Sequence, residues 1–146
     1  MKVQVKRLTP TAVIPAYQSE GAAGFDFHAD LGKDPAVLIN PGQTVLVATG
    51  LAFAVPKGYE MQVRARSSMA LKKGLTVQNS PGTVDSDYRG EVHVMLHNNS
   101  GKLQMVNHGD RIGQGLIKEV PPVEFEEVDT LDETARGSGG YGSTGQ

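Results

Sequence analysis

Residues Asn79 to Glu91, NSPGTVDSDYRGE, gather an amide, a carboxylate pair, a phenol and a guanidinium within thirteen positions. Pro81-Gly82 and the polar run Asp85-Ser86-Asp87 are turn chemistry, and the segment reads as a hairpin whose second strand opens at Tyr88. A hairpin needed only for folding would not carry so many reactive groups, and loops on a rigid scaffold are where sites sit. Asp85 and Asp87 form a DxD pair that can bind a divalent cation, although DSD is also ordinary turn sequence.

Four other stretches carry chemistry. In RARSSMA (Arg64 to Ala70) an arginine precedes two serines at the start of a short helical run. That is either an anion site or an N-cap beside a surface arginine. In AGFDFHA (Ala23 to Ala29) Asp26 stands between Phe25 and Phe27. On a strand the aromatics face the core and Asp26 faces away, either into solvent or toward water around a metal ion. GDRIGQ (Gly109 to Gln114) predicts a turn with an Asp110–Arg111 pair. RGSGGYGSTG (Arg136 to Gly145) has five glycines and three Ser or Thr in ten residues. It reads as a free tail or as a phosphate clamp, with backbone N–H groups, the Ser143 and Thr144 hydroxyls, the Arg136 fork and a stacking Tyr141. No GxxxxGK[ST] loop occurs. His93 and His97 have HxxxH spacing, but the flanking alternation says strand and HExxH is absent, so a zinc site is not expected.

These groups must be positioned by strands, because period-2 patterns dominate the chain. Lys2 to Leu8 alternates as an edge-like strand. Thr44 to Val55 is a long apolar run broken at Thr49-Gly50, which predicts two strands or one bent at a bulge. Tyr59 to Ala65 puts Met61, Val63 and Ala65 on one face. Glu91 to Asn98 puts Val92, Val94 and Leu96 on one face. Ile112 to Val120 and Val123 to Val128 complete the predicted strands. Turns at Asn40-Pro41-Gly42, Pro56-Lys57-Gly58, Asn98 to Gly101 and His108-Gly109-Asp110 separate them at the spacing of an antiparallel barrel or sandwich. One short helix is expected, around Ser68 to Lys73.

The 146-residue chain suits one domain with a mostly aliphatic core, since Trp is absent and Phe and Tyr total eight. The lack of cysteine excludes disulfides, thiolate catalysis and Cys-ligated metals. A net charge of −2 gives no basic footprint for duplex nucleic acid. The N-terminus MKVQVKRL has no signal-peptide core, and no run is long enough to span a bilayer. The chain reads as soluble and cytoplasmic or otherwise intracellular.

Taken in order, AGFDFHA, RARSSMA, NSPGTVDSDYRGE, HGDRIGQ and RGSGGYGSTG resemble the five motifs of the trimeric deoxyuridine triphosphate nucleotidohydrolase (dUTPase) family. They run from Ala23 to Gly145, nearly the whole chain. Five motifs in the right order at compatible spacing are highly specific. The resemblance implies an all-β, jelly-roll-like fold of the β-clip type with at most one short helix. It implies a catalytic core over residues 1–132, a glycine-rich arm over 133–146, and a homotrimer whose three active sites each draw on all three copies. It also implies hydrolysis of dUTP to dUMP and pyrophosphate with Mg²⁺, which keeps uracil out of DNA and supplies dUMP for thymidylate. By resemblance Asp85 would position the attacking water, and Asp26 would contact Mg²⁺ through water, with Gln114 near the α-phosphate. Tyr88 would pack on the deoxyribose and exclude a 2′-hydroxyl. Asn79 and the backbone near Val84 would read uracil. Arg66, Ser67 and Ser68 would hold the α- and β-phosphates. On closure Arg136, Ser143 and Thr144 would meet the γ-phosphate while Tyr141 covers the base.

The chain departs from the commoner motif PRSGLA at Ala65, Ser68 and Met69. Val84 stands for the usual Ile, Gly113 for Ala and Tyr141 for Phe. None of these removes a catalytic group. Two alternatives are weighed against the hydrolase: a dCTP deaminase of related fold, which needs a glutamate near pyrimidine C4 that the hairpin does not supply, and a regulatory nucleotide-binding protein, for which the chain has no long insertion.

Overall fold

The computed structural model describes residues 1–140. Among these, ten strands and one helix follow in order: β1 (Gln4–Arg7), β2 (Phe25–His28), β3 (Ala36–Ile39), β4 (Thr44–Ala54), β5 (Tyr59–Arg64), α1 (Ser67–Lys73), β6 (Leu75–Val77), β7 (Gly82–Val84), β8 (Glu91–Asn98), β9 (Gln104–Asn107) and β10 (Arg111–Glu119). They form two four-stranded sheets, β1-β4-β8-β6 and β2-β10-β5-β7, and a β3-β9 ribbon. Every ladder among them is antiparallel. This is the all-β fold with one short helix that the sequence predicts.

Alternation does the sorting. On β8, Val92, Val94 and Leu96 are buried while Glu91, His93, Met95 and His97 face outward. On β5, Met61 and Val63 go in and Gln62 and Arg64 stay at the surface. The inward side chains of both sheets meet in one core with Phe25, Phe27, Phe53, Leu51 and Ile112. Phe25 stacks edge-on against Phe27 with centroids 5.5 Å apart, and Phe27 against Phe53 at 6.0 Å. Each such pair contributes about 0.5–1.5 kcal/mol beyond area burial. The cluster lies behind β2 and fixes the direction in which Asp26 points.

β4 is a single strand bent at the expected place. Its register with β8 shifts between Ala48 and Ala52, around Gly50 at φ 66. The space beside Gly50 is filled by the Asp30 carboxylate, Ala12 and Thr9, so a side chain there would collide as well as strain the backbone. Thr11 Oγ1 donates to Asp30 Oδ1 at 2.7 Å and Thr9 Oγ1 to Oδ2. This clasp ties the chain after β1 to the bend. α1 starts one residue earlier than expected and ends at Gly74, φ 65, whose N–H bonds back to Ala70 O at 3.1 Å.

Three expectations are corrected. Val123–Val128 forms no strand, and Phe125 is 94 % exposed. The apolar alternation is present, but no strand among the described residues pairs with it to form a ladder. The Asn79–Glu91 segment is not a hairpin of β7 with β8. β7 pairs with β5, whereas β8 pairs with β4 and β6, so the segment crosses from one sheet to the other. Turn residues define a reversal, not which sheet receives the next strand. Finally, β8 opens at Glu91 rather than Tyr88, because Tyr88 N–H bonds to Asp85 O at 3.2 Å and closes a turn first. No described helix is long and apolar enough to cross a membrane.

Candidate active site

The strongest electrostatic feature is built on Asp26, which is 4 % exposed. β2 turns it away from the aromatic core and against two guanidiniums. Arg66 Nε donates to Oδ1 at 2.9 Å, and Arg111 Nη1 to Oδ2 at 3.2 Å. Arg66 Nη1 also donates to the Arg111 carbonyl at 3.4 Å. A buried carboxylate is tolerated when it is paired and hydrogen-bonded in this way. Two cations on one anion leave a net positive rim. The Asp110–Arg111 pair read from GDRIGQ is therefore wrong. Asp110 accepts from Asn107 N–H at 3.0 Å and faces Lys73 at 3.8 Å, while Arg111 is at Asp26. The turn points neighbours to opposite sides, and the fold supplies Arg111 with a partner far away in sequence.

Register sets the rest of this cluster. Gln114 on β10 sits opposite Asp26 on one side and Arg64 on the other. Cross-strand partners share a face, so all three look the same way. His28 lies opposite Arg111, and its Nδ1 is buried without a partner among the described residues. Burial first, then the fields of Arg111 and Arg66, hold its pKa below the ordinary histidine value against the pull of Asp26. It is thus neutral at neutral pH and adds no charge to the rim. Beside the cluster, a cavity of about 290 Å³ is lined by Arg66, Ser68, Lys72, Lys73 and Arg111, among others. Ser67 opens α1 and is exposed.

The residues of the Asn79–Glu91 loop form a second group. Asp85 is exposed and lines a cavity of about 280 Å³ with Thr83, Val84, Tyr88 and His93. The hydroxyl end of Tyr88 sits against Gly90, where any Cβ would strike it, and the hydroxyl donates to Glu91 O at 3.0 Å. Gly90 is thus the seat that holds the phenol at the cavity. Arg89 is spent on the loop itself, donating to Ser86 O at 2.7 Å and Tyr88 O at 2.8 Å. The Asn79 side chain packs over Gly82.

Within one chain the two groups stay apart. Val84 is level with Met61 on β5, so Asp85 continues toward Glu60, while Gln114 meets β5 at Arg64. Four residues at about 3.3 Å each separate those levels, roughly 13 Å, and Arg66 lies further on. Arg136 is exposed, its Nε donating to Gly139 O at 2.8 Å. Tyr141, Ser143 and Thr144 lie outside the described residues. Sequence reasoning missed Arg111 and His28 as members of the Asp26 cluster. The only available signal was that each lies in a motif already singled out for another residue.

A buried acid gripped by two arginines on a two-sheet β scaffold lies beside a cavity with an excess of cationic side chains, an arrangement that suits an anion. A family model for dUTPase matches residues 11–145. A deoxyuridine 5′-triphosphate nucleotidohydrolase from Wolinella succinogenes is 53 % identical over 146 residues, covering 100 % of this chain and 95 % of that protein. One from Caulobacter vibrioides is 52 % identical over 132 residues, covering 90 % and 85 %. Among solved structures, the dUTPase of Staphylococcus bacteriophage 80alpha with dUpNHpp superposes with a TM-score of 0.84 at 22 % identity, covering 99 % of each chain. A mutant dUTPase from phage phi11 of S. aureus, described with a structural Mg(II) ion, gives 0.78 at 21 %, covering 90 % of this chain and 99 % of that one. The chain belongs to the dUTPase family.

Proposed function

We propose that this protein hydrolyses dUTP to dUMP and pyrophosphate by the shared action of the two residue groups described above. Family membership carries the reaction. The observation that supports the division of labour is the buried Asp26 with Arg66 and Arg111 on its two oxygens, facing the same way as Gln114.

The guanidiniums and the Ser67 and Ser68 groups hold the α- and β-phosphates, and Gln114 lies on the α-phosphate side. Each Asp26 oxygen already accepts one arginine bond and keeps a second lone pair, so it suits a water ligand of a cation better than the cation itself. An ion gripped mainly by phosphate oxygens needs few protein ligands of its own. When bound, Mg²⁺ offsets charge on the leaving pyrophosphate.

Asp85 orients the attacking water and takes up its proton. A carboxylate is a weak base at neutral pH, so orientation and charge neutralisation supply most of the acceleration. Tyr88 packs on the deoxyribose and leaves no room for a 2′-hydroxyl. Asn79 and the backbone at Val84 read the uracil edge. The arm brings Arg136, Ser143 and Thr144 to the γ-phosphate and Tyr141 over the uracil, excluding bulk water.

The separation of Asp85 from Arg66 within one chain supports a site assembled from several copies, as does the exposure of Phe125 and Leu131. A homotrimer satisfies both. The test is pyrophosphate release from dUTP, UTP, dTTP and dCTP in the presence of Mg²⁺. Release from dUTP alone is expected. Ammonia from dCTP would instead identify a deaminase.

A further inference from the structure

We infer that Lys72 is a further phosphate-binding residue, which meets the β- and γ-phosphates of the substrate and the pyrophosphate product. The inference rests on the hydrolase reading above and extends it. The cavity of about 290 Å³ beside the Asp26 cluster is lined by four cations, Arg66, Lys72, Lys73 and Arg111, with Asp110 as the acid on its wall. Three of the four are already engaged. Arg66 and Arg111 hold Asp26. Lys73 donates to Met105 O at 3.2 Å and faces Asp110 at 3.8 Å. Lys72 has no hydrogen bond or ion pair among the described residues. With Asp26 counted, four positive and two negative charges leave the cavity at +2, and Lys72 is the part of that excess that can move.

Helix geometry explains its aim. Ser68 and Lys72 are four residues apart on α1, so they share one face, and buried Met69 anchors the helix so that this face borders the cavity. An ammonium on four methylenes is a mobile point charge with three donors. Arg66 and Arg111 are fixed by their carboxylate and suit a group that must be placed accurately. A lysine suits the end of the triphosphate that departs, because it can follow pyrophosphate as the α-phosphorus bond breaks. The bland role of a lysine in the last helical turn is to complement the carbonyl end of the helix. That role predicts no effect on ligands.

The two roles are separated with Lys72→Gln and Lys72→Arg in the full chain. Lys72 is exposed and glutamine has similar helix propensity, so folding is expected to be kept, and thermal melting checks it. Lys72→Gln is expected to raise KM for dUTP and the inhibition constant of inorganic pyrophosphate by about five- to fiftyfold each, with kcat within about threefold. Inhibition by dUMP, which lacks the distal phosphates, stays unchanged, and Lys72→Arg recovers most of the loss. Unchanged pyrophosphate inhibition, or equal losses for pyrophosphate and dUMP, overturns the inference. Should the unsubstituted protein release no pyrophosphate from dUTP, the hydrolase reading itself fails. Calorimetric titration of both proteins with pyrophosphate still decides whether Lys72 binds it.

Discussion

Asp85 and Tyr88 illustrate how much a single side chain can owe to its loop. The Asp85 side chain is exposed and makes no hydrogen bond or ion pair among the described residues, so Asp85→Asn is expected to leave the melting temperature unchanged. It should lower kcat by about 10²- to 10⁴-fold with little change in KM. Near-normal turnover would remove Asp85 from the water-positioning role. Tyr88→Ala takes away the surface that meets the sugar. The ratio of kcat/KM for dUTP over UTP is expected to fall by at least about tenfold, and a preserved ratio would argue against steric exclusion. Both residues were singled out from the sequence, since turn chemistry and reactive groups coincide there. The burial of Asp26 was not. Its meaning depends on Arg66 and Arg111, which come from sequence positions 40 and 85 residues away, and alternation alone cannot tell a solvated carboxylate from one sealed by guanidiniums.

Strands were the most readable elements, because inward and outward residues alternate cleanly on β5 and β8. The bend in β4 was also visible, marked by a glycine inside an apolar run. What holds the bend was not visible. Asp30 is 5 % exposed. Burial alone would raise its pKa, but the bonds from Thr9, Thr11 and Gly32 N–H and the nearby His108 outweigh that and hold it below the ordinary aspartate value. A carboxyl whose folded pKa is depressed stabilises the fold above its unfolded pKa, and that stability is lost as pH falls through the folded value. The protein should therefore lose melting temperature below about pH 4. Asp30→Asn should be less stable at pH 7 by about 1–3 kcal/mol and show a shallower acid slope. Parallel pH–melting curves for the two proteins would rule the clasp out as an acid-sensitive element. The Val123–Val128 strand failed as an expectation because alternation states a preference, whereas a ladder needs a neighbour.

A site shared between copies is testable without a structure of the complex. If one copy supplies Asp85 and another supplies Arg66, then Asp85→Asn and Arg66→Ala proteins are each nearly inactive, but unfolding and refolding them together restores activity. Random mixing makes about one site in four fully equipped. No recovery after verified subunit exchange would place both groups in one chain's site. The resemblance in sequence made the shared site an expectation, and the roughly 13 Å of β5 between the Asp85 and Gln114 levels gives it a physical basis.

The path of the Asn79–Glu91 loop has one more consequence. Val84 is stitched to one layer and Glu91 to the other, so the distance between the layers is transmitted to the aspartate carried by the loop. A modest change in interior volume, such as Phe27 shortened to leucine, would then detune the enzyme at temperatures where it is still fully folded. Catalytic output would become a finer gauge of how the interior is filled than any melting curve.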